Sequence, residues 1–287
     1  FNTAVGGYAL QNTGVGASAA NFWGGFNTAV GHGSLISNLT GFSNVAVGVS
    51  ALSGNQTGVG NVAIGAYANS NGIKSARNVT IGYFAGFNND STQNVFVGEG
   101  CGFNNTTGSR NTFVANSAGS NNISGNTISL LGYNTECIGT NLTNATAIGA
   151  LATVAQSNSL VLGSGANVGI GINTPNTKLH IDGGTDANIG NPISGYLLLG
   201  DAGAANLVFD DNEILARSNG AATTLYLQYQ SGNVVIGANT AGSHKLSVNG
   251  DAAKVGGGSW AAYSDSRLKK NVTPYSDGLS SLLKINP

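Results

Sequence analysis

The side chains able to do chemistry are few in this chain, and their spacing mostly fails to assemble a site. His180 and His244 each lie within two residues of a leucine, in the matching segments Lys178-Leu179-His180-Ile181 and His244-Lys245-Leu246-Ser247-Val248. Neither has a carboxylate or second histidine at metal-ligand spacing, so both read as repeat-derived strand positions rather than metal or acid–base groups. Asp210, Asp211 and Glu213 form the one acidic cluster. It reads as a solvated hairpin turn, with a cation site as the alternative. Cys101 and Cys137 stand far apart, too few for a disulfide framework or a thiolate metal site. They read as small buried residues, with a bridge within or between chains as the other reading. Phe22, Trp23, Phe26, Phe42, Phe87 and Phe103 fall in polar surroundings, where aromatic faces can stack on sugars or serve as contacts between coils or subunits. No Walker-type loop, His-Glu-x-x-His, cysteine pair or nucleophile elbow occurs. No cofactor and no metal is expected.

These residues sit in a chain of unusual composition. Of 287 residues 45 are Gly, and only 8% are charged against an ordinary share near 25%. Hydrophobic residues make up 41%, so this is not a charged disordered tail. Eleven basic and twelve acidic residues leave a formal charge of −1 and no block of like charge. Nucleic acid and anionic membrane are therefore poor partners. No apolar run approaches the ~18 residues of a membrane helix. The chain opens at Phe1 inside what reads as a repeat, so a longer protein is expected.

The elements that position everything else are repeats. Asn, an alternation of small and β-branched residues, then Gly recurs at Asn2–Gly6, Asn27–Gly31, Asn44–Gly48, Asn61–Gly65, Asn78–Gly82 and Asn94–Gly98. Asn111–Ala115 keeps the frame without the Gly, and Asn144–Gly149 is a looser copy. From Asn27 to Asn111 the steps are 17, 17, 17, 16 and 17 residues. The alternation predicts a short strand with one buried face, and the Gly a sharp turn. A second, weaker apolar element follows (Val49–Leu52, Ala66–Ala68, Tyr83–Ala85), then a polar loop. Two short strands and two turns make one coil, and a coil buries its apolar face only by stacking on others. Asn at one corner of every coil predicts a hydrogen-bonded ladder. An antiparallel meander is the alternative topology.

The fold class expected is thus all-β: a parallel β-roll or solenoid of ~17-residue coils, followed by a β-rich shaft and a short C-terminal helix. The divisions are 1–172 for the repeats, 173–186 for a neck, 187–253 for an interwoven β shaft and 254–287 for a terminal segment. Within the shaft, strands are expected at Tyr196–Leu199, Leu207–Phe209, Glu213–Arg217 and Thr224–Gln228. Gly278–Leu283, with apolar residues at helical spacing and Ser276 or Asp277 as cap, predicts the helix.

Residues 1–172 resemble the head of trimeric autotransporter adhesins, built from Asn-Ser-Val-Ala-Ile-Gly-type repeats in a left-handed parallel β-roll. The paired segments around Asn167–Gly183 and Asn233–Gly250 resemble phage tail-fibre shafts. Ser264-Asp265-Ser266-Arg267-Leu268-Lys269 resembles the opening of the intramolecular chaperone of phage tailspikes and endosialidases. These resemblances imply a homotrimer, an extracellular place on a virion tail fibre or cell surface, and attachment to a glycan or protein receptor. They also imply no enzymatic turnover beyond one self-cleavage between Tyr263 and Ser264, with Ser264 as nucleophile and Lys269 as base. A lysine serves as base only when burial lowers its pKa toward neutrality. A purely structural spacer, an ice-binding solenoid and a glycan-cleaving enzyme are the competing readings. Scarce paired carboxylates weigh against the last.

Overall fold

The computed structural model describes residues 1–13, 24–139 and 141–225. Among these every regular element is β-structure. Ten short strands stack in parallel in one sheet. They are β1 (Thr3–Val5), β2 (Thr28–Val30), β3 (Val45–Val47), β4 (Val62–Ile64), β5 (Val79–Ile81), β6 (Val95–Val97), β7 (Thr112–Val114), β8 (Asn126–Leu131), β10 (Thr143–Ile148) and β12 (Ser159–Leu162). The short strands β9 (Glu136–Cys137) and β11 (Thr153–Val154) pair with each other. Equivalent residues of successive coils face one another: Ala29 opposite Ala46, Ala46 opposite Ala63. This is a parallel β-solenoid, and the meander is excluded for the repeats.

The asparagine before each strand closes the coil. Its side-chain oxygen accepts the backbone N–H of the next coil's asparagine, at 3.0 Å for Asn27 and Asn44, 2.9 Å for Asn44 and Asn61, and 3.1 Å for Asn61 and Asn78. Its amide donates to a carbonyl of the loop that ends its own coil, Asn44 to Gly58 O at 2.8 Å and Asn61 to Ser75 O at 2.7 Å. After the strand the glycine column turns the chain at φ near +130° (Gly48 +133°, Gly65 +132°). A Cβ on Gly48 would sit 2.6 Å from the Gly65 carbonyl carbon, so the corner excludes side chains twice over.

The second side of the coil differs from expectation. It is a stack of turns rather than a second strand, except at β9 and β11. Residues such as Ser50 (φ +55°) and Leu52 (φ +51°) alternate through the left-handed region, which bends the backbone away from a strand. Its N–H groups still pair across coils, Leu35 N to Ala51 O and Leu52 N to Ala68 O, both at 3.0 Å.

The core is one or two side chains wide, and volume is traded across it. Early coils pair a small strand residue with a large turn residue: Ala29 with Leu35, Ala46 with Leu52, all fully buried. Later coils invert this, pairing Phe96 with Gly102 and Phe113 with Gly119. A Cβ on Gly102 would lie 2.7 Å from the Phe96 ring. The two phenylalanines stack inside at 5.0 Å. Cys101 and Cys137 are buried free thiols.

Beyond the solenoid, β13 (Val168–Ile170) and β14 (Leu179–Ile181) pair in parallel. β15 (Leu197–Gly200), β16 (Ala205–Phe209), β17 (Ile214–Ser218) and β18 (Ala221–Ala222) form an antiparallel sheet within the one chain. The first three fall where the sequence predicts strands. Arg217 is buried there, its guanidinium donating to the carbonyls of Asn188, Asn191 and Pro192, the Ser194 hydroxyl and the Asn206 side-chain oxygen. The expected C-terminal helix lies outside the described residues.

The traded volumes give a test. Phe96→Ala should cost about 3–5 kcal/mol, as for other buried phenylalanines. Adding Gly102→Leu, at a turn position where Leu35 and Leu52 already adopt left-handed φ, should recover more than half of that loss in chemical denaturation. Additive losses would show that the two positions do not share one space.

Candidate functional site

No described segment assembles a catalytic constellation; the candidate sites are surfaces. The most distinctive is an aromatic array on the turn side of three neighbouring coils. Phe84 is its centre. It stacks on Tyr67 at 5.0 Å and meets Tyr83 edge-on at 4.3 Å, Phe87 at 5.1 Å and Phe103 at 5.8 Å. Phe87 and Phe103 stack on each other at 5.2 Å. Tyr67 and Tyr83 are 36% and 48% exposed. The stacking follows from the period, because residues 16 or 17 apart occupy the same place in successive coils.

Of the sequence-expected binding residues, Phe87 and Phe103 are thus brought together. Phe42 is exposed on another part of its coil and joins no ring of the array. Phe22 and Trp23 lie outside the described residues, as do Ser264 and Lys269. Tyr67, Tyr83 and Phe84 were missed as surface residues, since they read as the apolar side of a second strand. Aligning the coils column by column is the signal that finds them.

The second surface is the outer face of the ten-stranded sheet. The last residue of each strand forms one column: Val5, Val30, Val47, Ile64, Ile81, Val97, Val114, Leu131, Ile148 and Leu162. All are half-buried or exposed, Ile64 at 40% and Leu131 at 50%. A column of Thr and Val runs beside it, Thr28, Val45, Val62, Val79, Val95 and Thr112.

The acidic cluster is a turn cap. Asp210 accepts the N–H groups of Ala187 (2.8 Å), Asn212 (3.0 Å) and Glu213 (2.7 Å), which hold its carboxyl below the usual range. Asp186, rather than Glu213, brings its oxygens near those of Asp210 and Asp211. His180 accepts the Asn176 N–H through Nδ1 at 3.3 Å. A cleft of about 300 Å³ is lined by Asn121, Ile123, Ser124, Cys137, Ile138 and Gly139. Beside it, burial raises the Glu136 carboxyl, although the Ser120 hydroxyl and the Asn121 amide donate to it. Burial pushes the Cys137 thiol up to about 11 and Cys101 to about 12, so neither is a nucleophile near neutral pH. Among the described residues no helix is long and apolar enough to cross a membrane.

No family model matches the chain, and neither a curated protein nor a solved structure matches it.

The thiols carry a pH prediction. Folded Cys101 and Cys137 keep their protons to about 12 and about 11, while an unfolded thiol releases its proton near 9.0. Their contribution to stability is therefore fully present below pH 9 and lost as pH rises through 11 and 12. Urea midpoints should fall more steeply from pH 8 to 10.5 in the native chain than in Cys101→Ala, which carries the residue found at the equivalent Ala51, Ala68, Ala85 and Ala118. Equal slopes would show that the Cys101 thiol is not shielded.

Proposed function

We propose that the chain is a length of a homotrimeric extracellular fibre that attaches to a surface receptor, and that the segment opening at Ser264 is the start of its assembly chaperone. The observation that carries the assembly is the outer apolar column, from Val5 to Leu162. Ten rungs at ~4.8 Å span roughly 43 Å of Val, Ile and Leu side chains. An unbroken apolar strip of that length is unusual on a free surface and marks a contact. A partner must match it rung for rung, and a second copy of this chain carries the same period. The narrow core points the same way: Ala29, Ala46, Ala51, Ala63, Ala68, Ala85 and Ala118 fill much of it, so one coil stack buries little apolar surface by itself.

Three-fold association, the attachment role and the extracellular setting rest on the resemblance to autotransporter heads and tail fibres. So do the roles of Ser264 and Lys269. The chain acts as a scaffold in this reading, and self-cleavage at Tyr263–Ser264 is its one chemical step. There Ser264 Oγ would attack the Tyr263 carbonyl, with Lys269 accepting the hydroxyl proton and returning it to the departing Ser264 amine as the Tyr263–Ser264 peptide bond breaks. Water would then hydrolyse the Tyr263 ester to a free carboxylate and the Ser264 hydroxyl.

One measurement tests both parts. Native mass of the full-length chain should give three copies, with Ile64→Lys and Ile81→Lys together shifting it to monomer. Denaturing mass should show a fragment ending at Tyr263 that Ser264→Ala abolishes. A monomeric native chain overturns the fibre, and an intact chain under assembly conditions overturns the cleavage.

A further inference from the structure

The aromatic array gathers large rings at turn positions where several other coils carry glycine or serine. Tyr67 and Phe84 hold φ at +59° and +56°. At the equivalent position the other coils carry Tyr8, Gly33, Ser50, Gly100, Ser117, Asn134 and Leu151, every one of them at positive φ. The left-handed φ belongs to every coil, and glycine or serine holds it without any aromatic ring. Phe87 and Phe103 likewise stand where Ser53, Ser70 and Ser120 stand elsewhere. The coil therefore folds without these rings, and packing of the solenoid does not demand them.

The surroundings define what the array suits. Each stack is two rings deep, Tyr67 and Phe84 between the positions of Ser50 and Gly100, and Phe87 and Phe103 between those of Ser70 and Ser120. A strip of amides runs along its edge, because Asn88 follows Phe87 and Asn104 follows Phe103, in line with Asn71. The Asn71 amide donates to Asn88 Oδ1 at 2.9 Å, leaving Asn71 Oδ1 and Asn88 Nδ2 for other partners. One rung beyond Tyr83 is Glu99, whose carboxylate accepts the Asn116 amide at 3.3 Å. No lysine, arginine or histidine belongs to the array or its amide strip.

We infer that the array, with Asn71, Asn88, Asn104 and Glu99 at its rim, is a binding site for a neutral hexopyranose glycan. Flat rings offer the π faces against which the C–H side of a pyranose packs. Planar amides supply donor and acceptor together, as vicinal hydroxyls require. The Glu99 carboxylate accepts from hydroxyls and repels carboxylated or sulfated sugars. The site is distinct from the outer apolar column, which continues through all ten strands. The inference rests on the attachment reading and names its ligand.

Full-length protein on a panel of neutral, sialylated and sulfated glycans, beside intact cells as a second surface, tests it. Wild type should bind neutral hexose oligosaccharides in preference to acidic ones. Phe84→Gly, Phe87→Ser and Phe103→Ser together should weaken binding at least tenfold, with the native mass and melting transition retained, since other coils carry these residues. Glu99→Gln should reduce discrimination against acidic glycans. Three results overturn the inference while leaving attachment standing: glycan binding unchanged in the triple variant, wild type that binds cells but no glycan, or a triple variant with altered native mass, which would make the array a subunit contact. Wild type that binds neither glycans nor cells overturns the attachment reading itself.

Discussion

The carboxamide of the strand-preceding asparagine is the interaction on which the solenoid depends. One planar group accepts the N–H of the coil above and donates to a carbonyl of its own loop, as Asn44 does with Asn61 N and Gly58 O. It satisfies two backbone groups that a corner would otherwise bury unpaired. It also fixes where each coil begins. Aspartate would offer no donor, and serine would not span the same distance with both functions. Asn27, Asn44, Asn61, Asn78, Asn94 and Asn111 are all buried, so each lost bond would be felt at the full cost of an unpaired buried group. The glycine corner is the complementary constraint, letting the coils approach until backbone meets backbone.

Between those corners the interior is free to vary as long as its volume is conserved. Ala46 with Leu52, and Phe96 with Gly102, are two solutions for the same narrow space. The second asparagine column shows what happens when a coil departs from this. Asn55 donates to Asn38 Oδ1 at 2.9 Å and Asn122 to Asn105 Oδ1 at 2.7 Å, but the column breaks at Gly72. There the amide has moved three residues back, to Asn69, where Leu35 and Leu52 stand in earlier coils. It bonds Ser75 Oγ instead, and Asn55 Oδ1 and Asn89 Nδ2 on either side are buried without partners among the described residues. The ladder tolerates one such break because the corner column beside it continues through Asn61, Asn78 and Asn94.

Legibility from sequence follows the same division. The all-β class, the coil length, the parallel stacking and the asparagine ladder were readable because those residues recur in register. The last coil is shorter, with Ala145 facing Ser159 at a step of 14 residues. The turn side was misread as a strand: Val49–Leu52 carries apolar residues, and hydrophobicity alone does not report the left-handed φ at Ser50 and Leu52. The Phe96–Gly102 exchange was hidden because it shows only when two columns are compared across coils. Of the candidate surface, Phe87 and Phe103 were found as isolated aromatics, whereas Tyr67, Tyr83 and Phe84 needed the three-dimensional column to be seen as their neighbours. Phe42 was grouped with them by residue type, and its position in the coil separates it.

A strict period has a consequence for where function can reside. Residues that hold the coil must repeat, so their repetition carries no information about a ligand. A surface for a copy of the same chain must repeat as well, because it is matched rung by rung. A surface for a compact ligand spanning two or three coils, about 10–15 Å at the spacing of stacked strands, has no reason to repeat and every reason to be local. Tyr67, Tyr83, Phe84, Phe87 and Phe103 meet that criterion, and the Val, Ile and Leu column from Val5 to Leu162 meets the other. The two surfaces lie on different sides of the coil because the glycine corner separates the strand from the turn. One side can therefore be committed to assembly while the other diverges coil by coil.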